Sequence, residues 1–301
     1  MNALFIKLLN PRILKRIYNE KLSEPLIYNL VSIPILLFGD FRTKIYYDLV
    51  PRQPYAFGIN QAFAIAKEEH VNKIILIEFG VASGAGLFNM SYIASRLSKI
   101  YNIDYQIVGF DSGEGMPEPI DYRDHPESYR KGDFPALKLK NSKLPPNTKI
   151  FYGDIEDTLK EFHQEIIIQK SKIGFVSIDV DYYSSTRKCL EILKINSENF
   201  LSKVPMYFDD INNPDHNQFC GELLAIEEFN KENTKRKICK MTQLRNWRLF
   251  KNALFIDQMY FLHIFDHYRR DISFWKNEKQ QILSNPYIGV EEKDLIIKDF
   301  E

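Results

Sequence analysis

The chain has 301 residues, 45% hydrophobic and 27% charged, a composition that suits one large α/β domain or two small ones. Forty basic residues balance forty acidic ones, so bulk charge gives no attraction to nucleic acid, which is not an expected partner. The three cysteines, Cys189, Cys220 and Cys239, form no Cys-x-x-Cys, which argues against a disulfide scaffold and for reduced, buried thiols in a cytoplasmic protein.

Residues 1–54 read as an N-terminal helical extension, broken at Pro11 and Pro34. The apolar stretch "LIYNLVSIPILLFG" (26–39) is shorter than an ordinary spanning helix and contains Asn29 and Pro34, so no transmembrane segment is expected. The start, "MNALFIKLLNPRILKRIYNEK", has no long apolar run with a small-residue cleavage site. It suits either a helix on a membrane surface or one packed on the domain or a partner subunit, which leaves a homo-oligomer open. "YAFGINQAFAIAKEEH" (55–70) has helical spacing.

Strands then alternate with helical patterns. The strands are "KIILIEFG" (73–80), "YQIVGFD" (105–111), "TKIFYGD" (148–154), "IGFVSID" (173–179) and "VPMYFDD" (204–210). Two more, "RKICKMT" (236–242) and "QMYFLHIFDH" (258–267), form a hairpin-like return. Strands separated by helices predict right-handed βαβ units: a doubly wound, seven-stranded, mainly parallel α/β sheet of Rossmann-like type over 55–270. A polar, Pro-rich excursion (112–148) interrupts it as a candidate substrate lid, and 271–301 reads as a C-terminal helical tail.

Such sheets bind ligands beyond the carboxyl ends of their strands. Those ends carry Glu78, Asp111, Asp154, Asp179 with Asp181, and Asp209 with Asp210. Acid at all five parallel strands marks a functional cleft. The fourth strand ends in "IDVDYYSST" (178–186). Its Asp-Val-Asp alone permits two readings: a metal and nucleotide-sugar site of a glycosyltransferase, or the strand end of a methyltransferase.

"EFGVASGAG" (78–86) has the spacing Glu-x-Gly-x-x-x-Gly-x-Gly, unlike the dinucleotide fingerprint or the P-loop. Glycines there allow a tight turn, and the next helix would aim its amides at a ligand. The motif resembles the first motif of class I methyltransferases that bind S-adenosylmethionine. Asp111 can accept hydrogen bonds from both ribose hydroxyls. Asp154 and Ile155 resemble the family's adenine-edge pair, and Asp154 equally suits a helix N-cap.

"VGFDSGEGMPEP", "YGDIEDTL", "SIDVDYYSST" and "MYFDDI" together resemble the macrocin-type sugar O-methyltransferases, over about Tyr55 to His267. The resemblance implies S-adenosylmethionine as cofactor, Mg²⁺, and a small-molecule sugar or glycan acceptor, nucleotide-linked or on a cell-surface glycan. It assigns cofactor contacts to Glu78, Gly80, Ser83, Gly84, Gly86, Asp111, Ser112, Asp154, Ile155 and Asp179. It assigns metal ligation to Asp209, Asp210 and one of the fourth-strand pair, Asp181 with Asp179 as the open alternative, and catalysis to Asp181 and Asp179. His216, just after the Asp-Asp, is a further candidate for an acceptor or acid–base contact. "SGEG" stands where an aromatic often follows the serine, so acceptor identity does not carry over. A non-sugar acceptor, a glycosyltransferase and a non-catalytic binding protein remain the alternatives.

Overall fold

The computed structural model describes residues 18–135, 144–169, 171–213 and 217–270. The chain divides into a unit of residues 1–267 and a second of 268–301, of which only a short turn at Tyr268–Arg270 is described. The expected tail at 271–301 lies outside the described residues, as does Pro11.

After a π-helical turn at Tyr18–Leu22 come α1 (Leu26–Phe38), α2 (Phe41–Tyr46) and α3 (Gln53–Glu68). Pro34 does not break α1, as the sequence reading expected; it sits inside the helix, which ends at Gly39. A proline removes one backbone bond without ending a helix whose neighbouring turns hold. Helix α3 is buried on nearly every side, from Tyr55 to Ala66, and fills the space beneath the sheet.

The sheet comprises β1 (Lys73–Phe79), β2 (Asp104–Asp111), β3 (Thr148–Tyr152), β4 (Lys172–Ile178), β5 (Lys203–Phe208), β6 (Arg236–Lys240) and β7 (Met259–Ile264). Its order is β3-β2-β1-β4-β5-β7-β6. The first five pair in parallel, and β7 runs antiparallel to both β5 and β6. This is the strand order of the Rossmann-like class I methyltransferase fold. The return from β6 to β7 is not a tight hairpin: α8 (Leu244–Trp247) and a 3₁₀ turn at Leu254–Gln258 lie between them.

Between the strands, α4 (Ala85–Tyr101), α5 (Ile155–Gln169), α6 (Tyr183–Leu190) and α7 (Gly221–Glu232) cover the faces. Strands β1 and β4 are apolar and buried almost throughout, so each face packs a separate cluster. On one, Ile74 and Leu76 meet α3 and α4. On the other, Phe79, Phe110 and Phe151 stack with centroids 4.8 and 5.3 Å apart. Of the thiols, Cys189 and Cys220 are buried but Cys239 is exposed, contrary to expectation, because it lies in β6 at the sheet edge.

Candidate active site

The crossover between β1 and β4 puts the topological switch point at their carboxyl ends, where the glycine turn and the paired acids meet. Gly80 (φ +85°) leaves β1 in a conformation that L side chains rarely adopt, and a Cβ there would lie 1.8 Å from the Asp179 carbonyl oxygen. Asp179 N–H in turn donates to the Phe79 carbonyl (3.0 Å). The turn and the acid strand are thus in backbone contact. Gly84 caps α4 without any side-chain hydrogen bond. The first turn of α4 is instead held from below, where the Glu78 carboxyl accepts from the Leu87 N–H.

Glu78 does not reach the open cleft. It is 1% exposed and lies under the turn, where a Cβ on Gly86 would sit 1.7 Å from its Oε1. Ser177 Oγ donates to Tyr55 Oη (3.0 Å), and the Tyr55 hydroxyl donates to Glu78 Oε1. Burial pushes the Glu78 carboxyl up to about 7, against the pull of the Tyr55 hydroxyl and Arg52. Glu78 supports the turn from below.

Asp111 is also committed to the turn. Its Oδ2 accepts from the N–H groups of Val81 and Ala82 (both 2.9 Å), and its Oδ1 accepts from Gly113 N–H (2.7 Å). A carboxylate has about four acceptor positions, so one is left for a ribose hydroxyl rather than the two expected. Ser83 is exposed on the turn, while Ser112 donates to the Gly115 carbonyl (2.9 Å). Asp154 acts as a cap: its Oδ1 accepts from Glu156 N–H (2.8 Å) and its Oδ2 pairs with Lys188 (3.1 Å). Ile155 is half-buried against the aromatic cluster beside it.

At β4 and β5 the carboxylates of Asp179, Asp209 and Asp210 each offer an oxygen, all within 4.8 Å of one another. Of the fourth-strand pair, which the sequence left open, the grouping holds Asp179 and not Asp181. Asp181 has a positive φ (56°) and engages the Tyr129 hydroxyl and the Asp210 carboxyl instead. Burial raises the carboxyls of Asp179 and Asp181, and the neighbouring Asp209 charge adds to both. Burial, then the charges of Asp181 and Asp179, push Asp210 up to about 9.

Residues beyond the sequence reading complete the cleft. Arg52, in the left-handed region at the start of α3, stands over the Tyr55 ring (4.9 Å) with Glu78, Asp179 and Asp209 about it. Glu222 is fully buried on α7, accepts from Asp210 N–H (3.1 Å) and keeps Oε1 without a hydrogen-bond partner. Tyr207 donates to Asp209 Oδ1. His216 lies outside the described residues.

The 112–148 excursion is tied to the site in its described part. Buried Asp124 accepts from Ser184 N–H and Ser184 Oγ (both 2.8 Å) at the start of α6, and Arg123 lies over the Tyr183 ring (4.5 Å). That anchors Tyr129 beside Asp181.

The cluster fits a hard cation: it offers only oxygen, and Asp210 Oδ2 is buried without a hydrogen-bond partner. The turn fits S-adenosylmethionine: Gly80 and Gly84 hold positive φ in a tight bend, and Asp111 keeps an acceptor position beside it.

No protein-family model and no curated protein matches the chain. Among solved structures it is similar to the calicheamicin methyltransferase CalS11 at 17% identity, over 73% of this chain and 85% of that one, with a TM-score of 0.45. It is similar to the O-methyltransferase NovP at 16%, over 70% and 80%, with a TM-score of 0.46. It is also similar to the plantazolicin methyltransferase BamL, solved with SAH, at 11%, over 78% and 94%, with a TM-score of 0.32. At such values the likeness speaks to neither substrate nor residues. The strand order carries the assignment: this chain has the class I methyltransferase fold.

Proposed function

We propose that the protein is an S-adenosylmethionine-dependent O-methyltransferase that methylates a sugar hydroxyl with the help of a divalent cation, in the cytoplasm. One observation carries the reading: three carboxylate oxygens converge within 4.8 Å beside a turn that backs onto one of the same acids. A glycosyltransferase reading of Asp-Val-Asp leaves that turn and the reversed β7 without a role.

When bound, S-adenosylmethionine supplies an electrophilic methyl group, and Mg²⁺ makes an acceptor hydroxyl easier to deprotonate. The protein's part is binding, orientation and proton removal. Asp179, Asp209 and Asp210 would hold the cation, with Glu222 fixing the Asp210 backbone. Asp181, oriented by Tyr129, would take the proton of the acceptor hydroxyl. Burial raises the Asp181 carboxyl, which makes it a better base than a free aspartate.

Calorimetry with S-adenosylhomocysteine and NAD tests the cofactor. A transfer assay on a sugar panel, with EDTA and with Mg²⁺, tests the rest. Binding of S-adenosylhomocysteine, none of NAD, and activity lost to EDTA and restored by Mg²⁺ are expected. NAD binding in place of S-adenosylhomocysteine refutes the cofactor. Activity that survives both EDTA and Asp209→Asn refutes the metal.

A further inference from the structure

Helix α1 is built inside out. A surface helix ordinarily turns an apolar stripe about 100° wide inward and its polar residues outward. Here Ser32 is buried and Asn29 half-buried, while Leu26, Ile27, Leu30, Ile33 and Leu37 each stand more than half exposed. Phe38 is 86% exposed. The inward polar groups are satisfied locally: Ser32 Oγ donates to the Tyr28 carbonyl (2.7 Å) and Asn29 Nδ2 to the Lys21 carbonyl (2.7 Å). Tyr28, edge-on to Phe250 at 6.2 Å, ties the helix to the body of the domain. The helix is therefore held in place with its apolar side outward.

At 100° per residue the exposed apolar side chains from Ile33 round to Val31 span about 160° with no polar residue among them. A single packed helix or sheet would cover only part of that width. A protein interface would also bring a polar rim and aromatic or arginine anchors, whereas this arc is aliphatic with one phenylalanine and one proline. Lipid covers any width. The thirteen residues are about 20 Å long, too short for a hydrocarbon core of about 30 Å, and among the described residues no helix is long and apolar enough to cross a membrane. Such a helix lies in the interface plane.

The sequence leading into α1 is basic. In a chain with no net charge, residues 1–44 carry seven Lys and Arg, four of them in the stretch outside the described residues, against three Asp and Glu, of which Glu20 and Glu24 are buried. The segment that docks at the base of α1, where Asn252 N–H donates to Glu24 (2.6 Å), also exposes Leu254 (59%) and Trp247 (82%). Trp is the side chain most at home at a lipid–water boundary.

We propose that α1 is a membrane-surface anchor that seats its outward apolar face in the headgroup region of an anionic lipid leaflet. The reaction proposed above is not needed for this inference.

The test is co-sedimentation of the full chain with phosphatidylcholine vesicles, with and without phosphatidylglycerol, at low and high salt. Light scattering of the lipid-free protein runs alongside. Wild type should sediment with the anionic vesicles, less with neutral ones and less at high salt. Leu30→Glu with Leu37→Glu should lower the partition about tenfold or more at an unchanged melting temperature. Phe38→Ser, at the most exposed position, is the milder variant and should lower it by less. Failure of wild type to bind anionic vesicles overturns the proposal. So does a dimer that the double variant dissociates in the absence of vesicle binding, which would make a second copy the occupant.

Discussion

Asp111 offers the sharpest test of how the cofactor turn is built. Asp111→Ala removes the acceptor of three backbone N–H groups, those of Val81, Ala82 and Gly113. Hydrogen bonds to a charged group contribute about 1.5–3 kcal/mol each, and at a half-exposed site water replaces part of the loss. The lower figure, reduced for water, gives about 3 kcal/mol in all. For a domain of this size that is about 6–12 °C in melting temperature. Ala82 itself holds a positive φ (45°), a strained state for a residue with a Cβ, so the turn should relax once released. Cofactor affinity should then fall by about tenfold or more, since binding must reorder the turn. Asp111→Asn keeps one acceptor oxygen but sets an NH₂ group against an N–H donor, and should fall between the two. Differential scanning calorimetry and titration with S-adenosylhomocysteine read both effects. If Asp111→Ala melts within about 1 °C of wild type and binds as tightly, the carboxylate does not hold the turn.

Gly80→Ala places a Cβ 1.8 Å from the Asp179 carbonyl oxygen, so titrations should show cofactor and Mg²⁺ affinity falling together; loss of one alone would separate the two sites. Burial raises Glu78 to about 7 and Asp210 to about 9, so near neutral pH the folded protein holds protons that the unfolded chain has released. Folding then takes up protons, and in EDTA the melting temperature should decline as pH rises from the ordinary carboxylate range through about 9. Mg²⁺ should offset the decline at the upper end, and a flat profile in EDTA would contradict these environments. Tyr129→Phe removes the hydroxyl beside Asp181 and should lower kcat about tenfold at unchanged cofactor affinity, measured in single-turnover assays. An unchanged kcat would leave the tyrosine only its packing on Tyr182.

The strands were legible because those buried on both faces leave near-continuous apolar runs, and "KIILIEF" and "KIGFVSI" read as such without tertiary information. The acids at their ends followed from topology alone. Their roles did not, because direction and depth are set by tertiary packing. Glu78 and Asp111 have the same chemistry at adjacent strand ends, yet one supports the turn from beneath and the other ties it from the side. Asp179 and Asp181 were indistinguishable by spacing. A single positive φ at Asp181 separates them. Arg52 and Tyr55 at the start of α3, and Glu222 on α7, enter from helices and not from the strand ends, with no local pattern to announce them. Tyr55 stood at the head of an apolar helix, where an aromatic residue reads as core. It is core, and its hydroxyl also links Ser177 to Glu78.

The backbone contact between Gly80 and Asp179 has a consequence for how the two ligands meet the protein. For the cofactor and cation proposed above, a turn that cannot shift without carrying the Asp179 peptide with it would make each report on the other. Whichever arrived first would fix the conformation that the second requires, and the second would not have to order it again. Thermodynamic reciprocity would then have each raise the affinity of the other by the same factor. A cleft assembled in this way would reach full acidity toward an acceptor only with both ligands in place, so neither half-loaded form would be set up to act alone.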